Sequence, residues 1–159
     1  MAVKILGAAL IFLGGVIGSF FLNKKADFKA AESGSYLNFF KYIREQIASY
    51  AMPITEILNK CDRDMLSFCG YPREEKIPAD INEFLSKISV CDAENKKYMV
   101  SFSENFGKNS REDQIKECDY YINIMNDKRK RLYAELPNKK KVNSTLCISA
   151  SLAVALLML

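Results

Sequence analysis

Residues 3–22 read VKILGAALIFLGGVIGSFFL, and the reading of this run decides the fold. From Ile5 to Leu22 there are 18 residues without a charge. As an α-helix they rise about 27 Å. A bilayer core of about 30 Å accepts that length with tilt or local thinning. Two other readings compete. A basic, then apolar, then small pattern also marks a cleaved signal peptide. Here the apolar part is longer than a usual signal core, and NKKADFKAAES after it offers only Ala30-Ala31 as a weak site. A buried core helix would carry a polar stripe, and this run has none.

The other end of the chain has a similar run. VNSTLCISASLAVALLML, residues 142–159, is also uncharged for 18 residues. Asn143, Ser144 and Thr145 lie at its entry and shorten the strictly apolar part. A tail that inserts only partly is therefore the alternative to a full span. Lysines flank both runs on the side of the chain's middle: Lys24 and Lys25 after the first, Lys139, Lys140 and Lys141 before the second. Basic residues favour the cytoplasmic side of a span, with Lys4 a weak vote the other way. This predicts a membrane anchor over 1–25, a cytoplasmic helical domain over 26–138 and a second membrane helix over 139–159. Within the first run, Gly7, Gly14 and Gly18 are small residues that let another helix approach. Gly14-x-x-x-Gly18 is a formal but unspecific packing motif.

Between the runs the apolar spacing is helical throughout. SYLNFFKYIREQIASYA places Tyr36, Leu37, Phe40, Ile43, Ile47 and Tyr50 on one face, with Ser33 or Ser35 as N-cap. Pro53 opens a second helix with Ile54, Ile57, Leu58, Cys61, Met65 and Leu66 inward, ending at Gly70. Pro78 opens a third, with Ile81, Phe84, Leu85 and Ile88 inward. A fourth starts near Asp92 with Tyr98, Met99, Phe102 and Phe106, and Gly107 fits its C′ position. A fifth follows Asn109 or Ser110, carries Ile115, Cys118, Ile122, Met125, Arg129 and Leu132, and stops at Pro137. No segment alternates with period two. The fold expected is all-α, a small antiparallel bundle of about five helices between two membrane helices.

The composition narrows the chemistry. There is no histidine, so Ser-His-Asp and Cys-His arrangements are impossible. No GxxxxGK phosphate loop occurs. The five cysteines, Cys61, Cys69, Cys91, Cys118 and Cys147, have no CxxC spacing. They read as reduced, buried hydrophobes, with a zinc site from scattered cysteines the unsupported alternative. Residues 128–141 hold seven basic residues against one acid, a local net of +6. Residues 26–127 hold thirteen basic and eighteen acidic residues, about −5. A basic cluster beside a span is a topology signal and a contact for anionic headgroups. The acidic remainder argues against nucleic acid.

The dense carboxylates lie in FGKNSREDQIKE, residues 106–117, and just beyond: Glu112, Asp113, Glu117 and Asp119. Paired acids can serve general acid/base chemistry where burial raises one pKa. Here Glu112 has Lys116 at the favourable i, i+4 spacing, and Ser110 with Asp113 approximates a capping box. The stretch reads as a well-capped helix start. No cofactor, metal site or small-molecule substrate is expected. The candidate partner-contact residues are Gly107, Arg111, Glu112, Asp113, Gln114 and Lys116. A small membrane-bound metal-binding or carboxylate enzyme or sensor is the alternative.

This stretch also carries a resemblance. Gly107 with Arg111-Glu112-Asp113-Gln114-Ile115-Lys116 resembles a motif of the stage III sporulation protein AB family. That family begins with an apolar anchor bearing an early Leu-Gly, here Leu6-Gly7. It continues with a helix patterned as Arg44-Glu45-Gln46-Ile47 through Tyr50 to Pro53, with Glu56 and Leu58 after it. It ends in a basic stretch and a second apolar helix. The chain departs from the pattern where Phe106-Gly107 replaces Leu-Gly. The resemblance implies a non-enzymatic member of the mother-cell channel assembly built during endospore formation. It also implies similarity to the cytoplasmic helical domains of type II secretion F-proteins, and contact with an assembly ATPase and other membrane subunits.

Overall fold

The computed structural model describes residues 2–90 and 92–158, with side-chain surroundings for 6–90 and 92–157. Among them there are six helices and no strand. They are α1 (Ala2–Tyr50), α2 (Ile54–Lys60), α3 (Arg63–Phe68), α4 (Ile81–Lys87), α5 (Ala93–Asn105) and α6 (Arg111–Met158). The all-α class follows from the 3.6-residue periodicity, and long apolar helices stand at both ends. The chain divides into two compact units. One is Ala31–Lys130, and the other combines Met1–Ala30 with Arg131–Leu159.

The unit Ala31–Lys130 has an aromatic core. Tyr36, Leu37, Phe40, Ile43 and Ile47 are buried on α1, as the spacing predicts, and Phe39 joins them. Phe39 stacks on Phe84 of α4 at 5.2 Å, and Phe40 on Tyr121 of α6 at 5.4 Å. Phe102 of α5 meets the Phe40 ring edge-on at 4.9 Å. Edge-on and offset rings add to the area they bury. Tyr36 donates its hydroxyl to the Cys69 carbonyl at 2.8 Å, so its polar tip is satisfied inside. Tyr50, expected inward, is 66% exposed as the last residue of α1.

Several boundaries differ from the expectation. Ser33 and Ser35 cap nothing, because α1 runs unbroken through them. The stretch from Asn23 to Ala31 has no proline and is rich in Lys and Ala, good helix formers. Ser35 instead donates back to the Ala31 carbonyl at 3.3 Å. The second helix is two: Asp62 takes an extended backbone and accepts from the Asp64 N–H, starting α3 afresh. The third helix begins at Ile81, beyond Pro78, because Asp80 caps it at 2.8 Å to Glu83 N. Glu83 reaches back to Ala79 N at 2.7 Å. Pro137 does not stop α6. It forfeits one hydrogen bond on an exposed position, and the helix formers on either side carry α6 through.

The second unit is an antiparallel helix pair. Asn23 donates to Ser144 Oγ at 3.0 Å, and Asn143 donates to Asn23 Oδ1 at 3.3 Å. Asp27 holds Lys140 at 2.6 Å. Four residues onward on α1, from Asn23 to Asp27, the partner retreats four, from Ser144 to Lys140. In the other direction Gly15 meets Ser151, whose side chain a Cβ at Gly15 would strike; the Cys147 carbonyl would be 2.9 Å away. One register thus spans both apolar runs. The close approach inside the pair uses Gly15, while Gly14 and Gly18 have no atom within 4 Å of an added Cβ. Both long helices are apolar enough to cross a membrane, and only 6% of each apolar window is buried within the chain. That low burial is unlike a soluble protein's core helix.

Candidate partner-contact site

The site is built on two turns. At the first, Gly107 has φ +80, a conformation glycine adopts without strain, and it ends α5 as its C′ residue. Ser110 then caps α6. Its carbonyl accepts from Gln114 N at 2.9 Å, and its hydroxyl accepts from Asp113 N at 3.3 Å. The capping box closes differently from the Glu version: the shorter Asp113 accepts the Ser110 hydroxyl proton at 2.7 Å. That bond, with Lys116 at 3.3 Å, lowers the Asp113 carboxyl below the ordinary range. Lys116 therefore pairs with Asp113 at i, i+3, whereas the i, i+4 spacing had suggested Glu112.

At the second turn, α1 ends with Ala51 at φ 52, and Met52-Pro53 leads into α2. The last carbonyls of a helix lack intrahelical donors. Arg111 adds donors from α6: Nε donates at 3.0 Å to the Ile47 carbonyl, which also accepts from Ala51 N at 3.1 Å, and Nη2 donates to the Ala48 carbonyl. A cation at a helix C-terminus also opposes the dipole. Arg111, read from sequence as a surface contact, is thus the cap of α1.

Between these turns opens a cleft of about 400 Å³. Ile47, Met52, Ile54 and Phe106 wall it, and Gly107, Arg111 and Gln114 complete it. Glu112, Asp113 and Lys116 are exposed on the same first turns of α6 but do not line it. The sequence motif is therefore split in two: a half that shapes a cleft and a half that faces solvent. The Met52-Pro53 break beside the end of an apolar stripe was the available signal for the walls.

The carboxylates are dispersed rather than paired. Asp119 holds Arg44 of α1 in a two-point contact, 2.5 Å to Nε and 3.3 Å to Nη2. Glu117 lies half-buried beside Asn105, and burial raises its pKa. A third polar group, not legible in the sequence, sits at the N-terminus of α5. Lys128, taken as part of the basic cluster, is only 5% exposed. Its Nζ lies 3.1 Å from Asp92 and 2.7 Å from Glu94, and 5.7 Å from the Tyr98 ring centroid. The Lys128 contact holds the Glu94 carboxyl below its ordinary range. Buried Glu32 accepts from Asp92 N at 3.1 Å and Asn95 Nδ2 at 2.9 Å.

Cys61, Cys69 and Cys118 are buried free thiols, and Cys91 lies outside the described residues. Desolvation pushes Cys61 and Cys118 up to about 12, and raises Cys69 as well. Protonated, buried thiols are poor nucleophiles and poor ligands. Among the described residues no group of three or more His, Cys, Asp or Glu converges as for a metal ion.

Fold and site define a class: a helical unit whose first and last helices extend into apolar segments long enough to cross a membrane. Residues 75–159 match the profile of the family described as Stage III sporulation protein AB (spore_III_AB). The chain belongs to that family, and so to the proteins of sporulation. The match takes in α4, α5, the Gly107–Lys116 motif and α6. The Leu6-Gly7 and Arg44–Pro53 resemblances lie outside it. No curated protein and no solved structure matches the chain.

Proposed function

We propose that this chain is a non-enzymatic, membrane-anchored scaffold subunit of a secretion-like channel complex needed for endospore formation. Its helical unit docks a cytoplasmic ATPase and neighbouring membrane subunits. It sits in the mother-cell-side membrane, with the helical unit in the cytoplasm. The observation that carries this reading is the open cleft of mixed polar and apolar lining, to which Gly107, Arg111 and Gln114 of the family motif contribute. Beside it, exposed Glu112 adds a charge that the Ser110–Asp113 cap does not use. Asp113 and Asp119 have separate structural partners, Ser110 with Lys116 for the first and Arg44 for the second, which favours docking over paired acid/base chemistry.

The test is co-purification from sporulating cells. Arg111 is left intact because it caps α1. A Glu112→Lys, Gln114→Lys double variant is expected to lose the co-purifying ATPase while keeping wild-type helicity by circular dichroism. Undiminished capture of the ATPase by that variant would sink the proposal.

A further inference from the structure

The basic residues beside the apolar helices do not act alike. Register places the lysines of α1 and α6 at one level of the helix pair, at the same end of both charge-free runs. There Lys140 is held by Asp27. Lys24, Lys25, Lys139 and Lys141 are exposed, and no ion pair joins them to another described residue. Lys24 leans 5.9 Å over the Phe20 ring, a residue one turn into the apolar run, its stem along apolar surface and its charge at the edge. The polar groups facing inward at this level, Asn23, Asn143 and Ser144, satisfy one another. What remains is a collar of four unmatched ammonium groups. Exposed Phe20, Phe21, Leu22, Val142 and Leu146 lie directly beside it.

A ligand for this surface must present anionic oxygen and hydrocarbon together, a few ångströms apart. A polyanion such as RNA would satisfy the lysines and leave the aromatic and aliphatic rim in water. We propose that the collar of Lys24, Lys25, Lys139 and Lys141 binds the phosphate-bearing headgroups of anionic glycerophospholipids. The proposal rests on the reading of α1 and α6 as membrane helices. It excludes Lys128, which is buried among acids, and Lys140, which is paired. Each juxtamembrane lysine removed should weaken anionic-lipid affinity roughly fivefold.

The full chain is purified in an uncharged detergent and its thermal unfolding followed as phosphatidylglycerol is added. Phosphatidylcholine, inorganic phosphate and an RNA oligonucleotide are the comparison arms. Phosphatidylglycerol is expected to raise Tm by several degrees, less at high salt, and the other three to leave it unchanged. The K24Q/K25Q/K139Q/K141Q variant should lose most of that shift, the K25Q/K139Q variant about half, and the remote Lys108→Gln none. The double variant keeps the test decisive if the fourfold one does not fold. An equal shift with phosphatidylcholine, inorganic phosphate or RNA, or a full shift in both lysine variants, overturns the collar. Alkaline carbonate extraction of cell membranes separates this from the underlying reading. Release of the chain overturns the membrane spans, whereas retention with no lipid response overturns the collar alone.

Discussion

Single residues show where a local conformation is borrowed from elsewhere in the chain. Ala51 adopts φ 52, a left-handed conformation that costs an L-residue with a Cβ about 1–2 kcal/mol. Glycine is the usual occupant after a helix. Ala51→Gly is therefore expected to stabilise the protein by about 0.5–1 kcal/mol, read as a higher denaturant midpoint with an unchanged slope. A lower midpoint would mean that the turn is not held in that conformation. Gly107 was legible because glycine advertises such a position. Ala51 was not, because nothing in an alanine does, and the Arg111 cap that fixes the turn comes from 63 and 64 residues away. Lys128 was misread for a related reason. Its neighbours in sequence are basic, but Tyr121 and Met125 put it on the inward face, where Asp92 and Glu94 await it. Glu94 titrates ordinarily near 4.5 and lower in the folded chain. Its stabilisation is thus present above 4.5 and lost as pH falls through the folded value. Lys128→Met should cost roughly 2 kcal/mol at neutral pH, discounted because Glu94 is 45% exposed. The deficit should shrink below pH 4.5, and unfolding curves at the two pH values would show it. A deficit that did not change with pH would assign the loss to packing instead.

At the scale of elements, the helices were legible, as were the ends marked by Asp92, Gly107 and Ser110, while other ends were not. Stripes such as Tyr36-Leu37-Phe40-Ile43-Ile47 encode burial by spacing alone, and the structure buries them all. Ends depend on competition. Asp62 wins a backbone N–H and splits one predicted helix, whereas Pro137 loses against its helix-forming neighbours and fails to stop another. Packing between the apolar helices was only half legible. The sequence motif drew attention to Gly14 and Gly18, but the antiparallel register puts Gly15 against Ser151 and Cys147. Small residues matter in such pairs because they let backbones approach. Gly15→Leu should therefore force the pair apart, while Gly14→Leu should not disturb it. With cysteines introduced by Asn23→Cys and Ser144→Cys in a background lacking Cys147, oxidative cross-linking within one chain should persist in the Gly14 variant and fall sharply in the Gly15 variant. Equal cross-linking in both would mean that the helices meet along a different face.

For the whole molecule, the decisive question is the side of the membrane on which each part lies. Both apolar runs have their lysines at the end nearer the middle of the chain, and the pairing of Asn23 with Asn143 and Ser144 aligns those ends. A hairpin of two membrane helices with its charged ends together must have both termini on the opposite side. The proposed orientation, with the lysine side in the cytoplasm, follows the positive-inside rule. Crossing is favoured by the exposed apolar surface of each helix and by the internal hydrogen bonds of two serines. Ser19 and Ser151 donate back to their own helices at 2.8 and 2.9 Å, so neither presents an unpaired hydroxyl to hydrocarbon. Protease applied to intact cells should thus remove tags at both termini and spare a site engineered into the exposed loop at Arg73–Glu75. In inverted vesicles the loop should be cut and both tags protected. A C-terminal tag cleaved from the cytoplasmic side would leave a single anchor and a peripheral last helix. The Asn23–Ser144 contact would then have to form at the membrane surface, where water competes for the same hydrogen bonds.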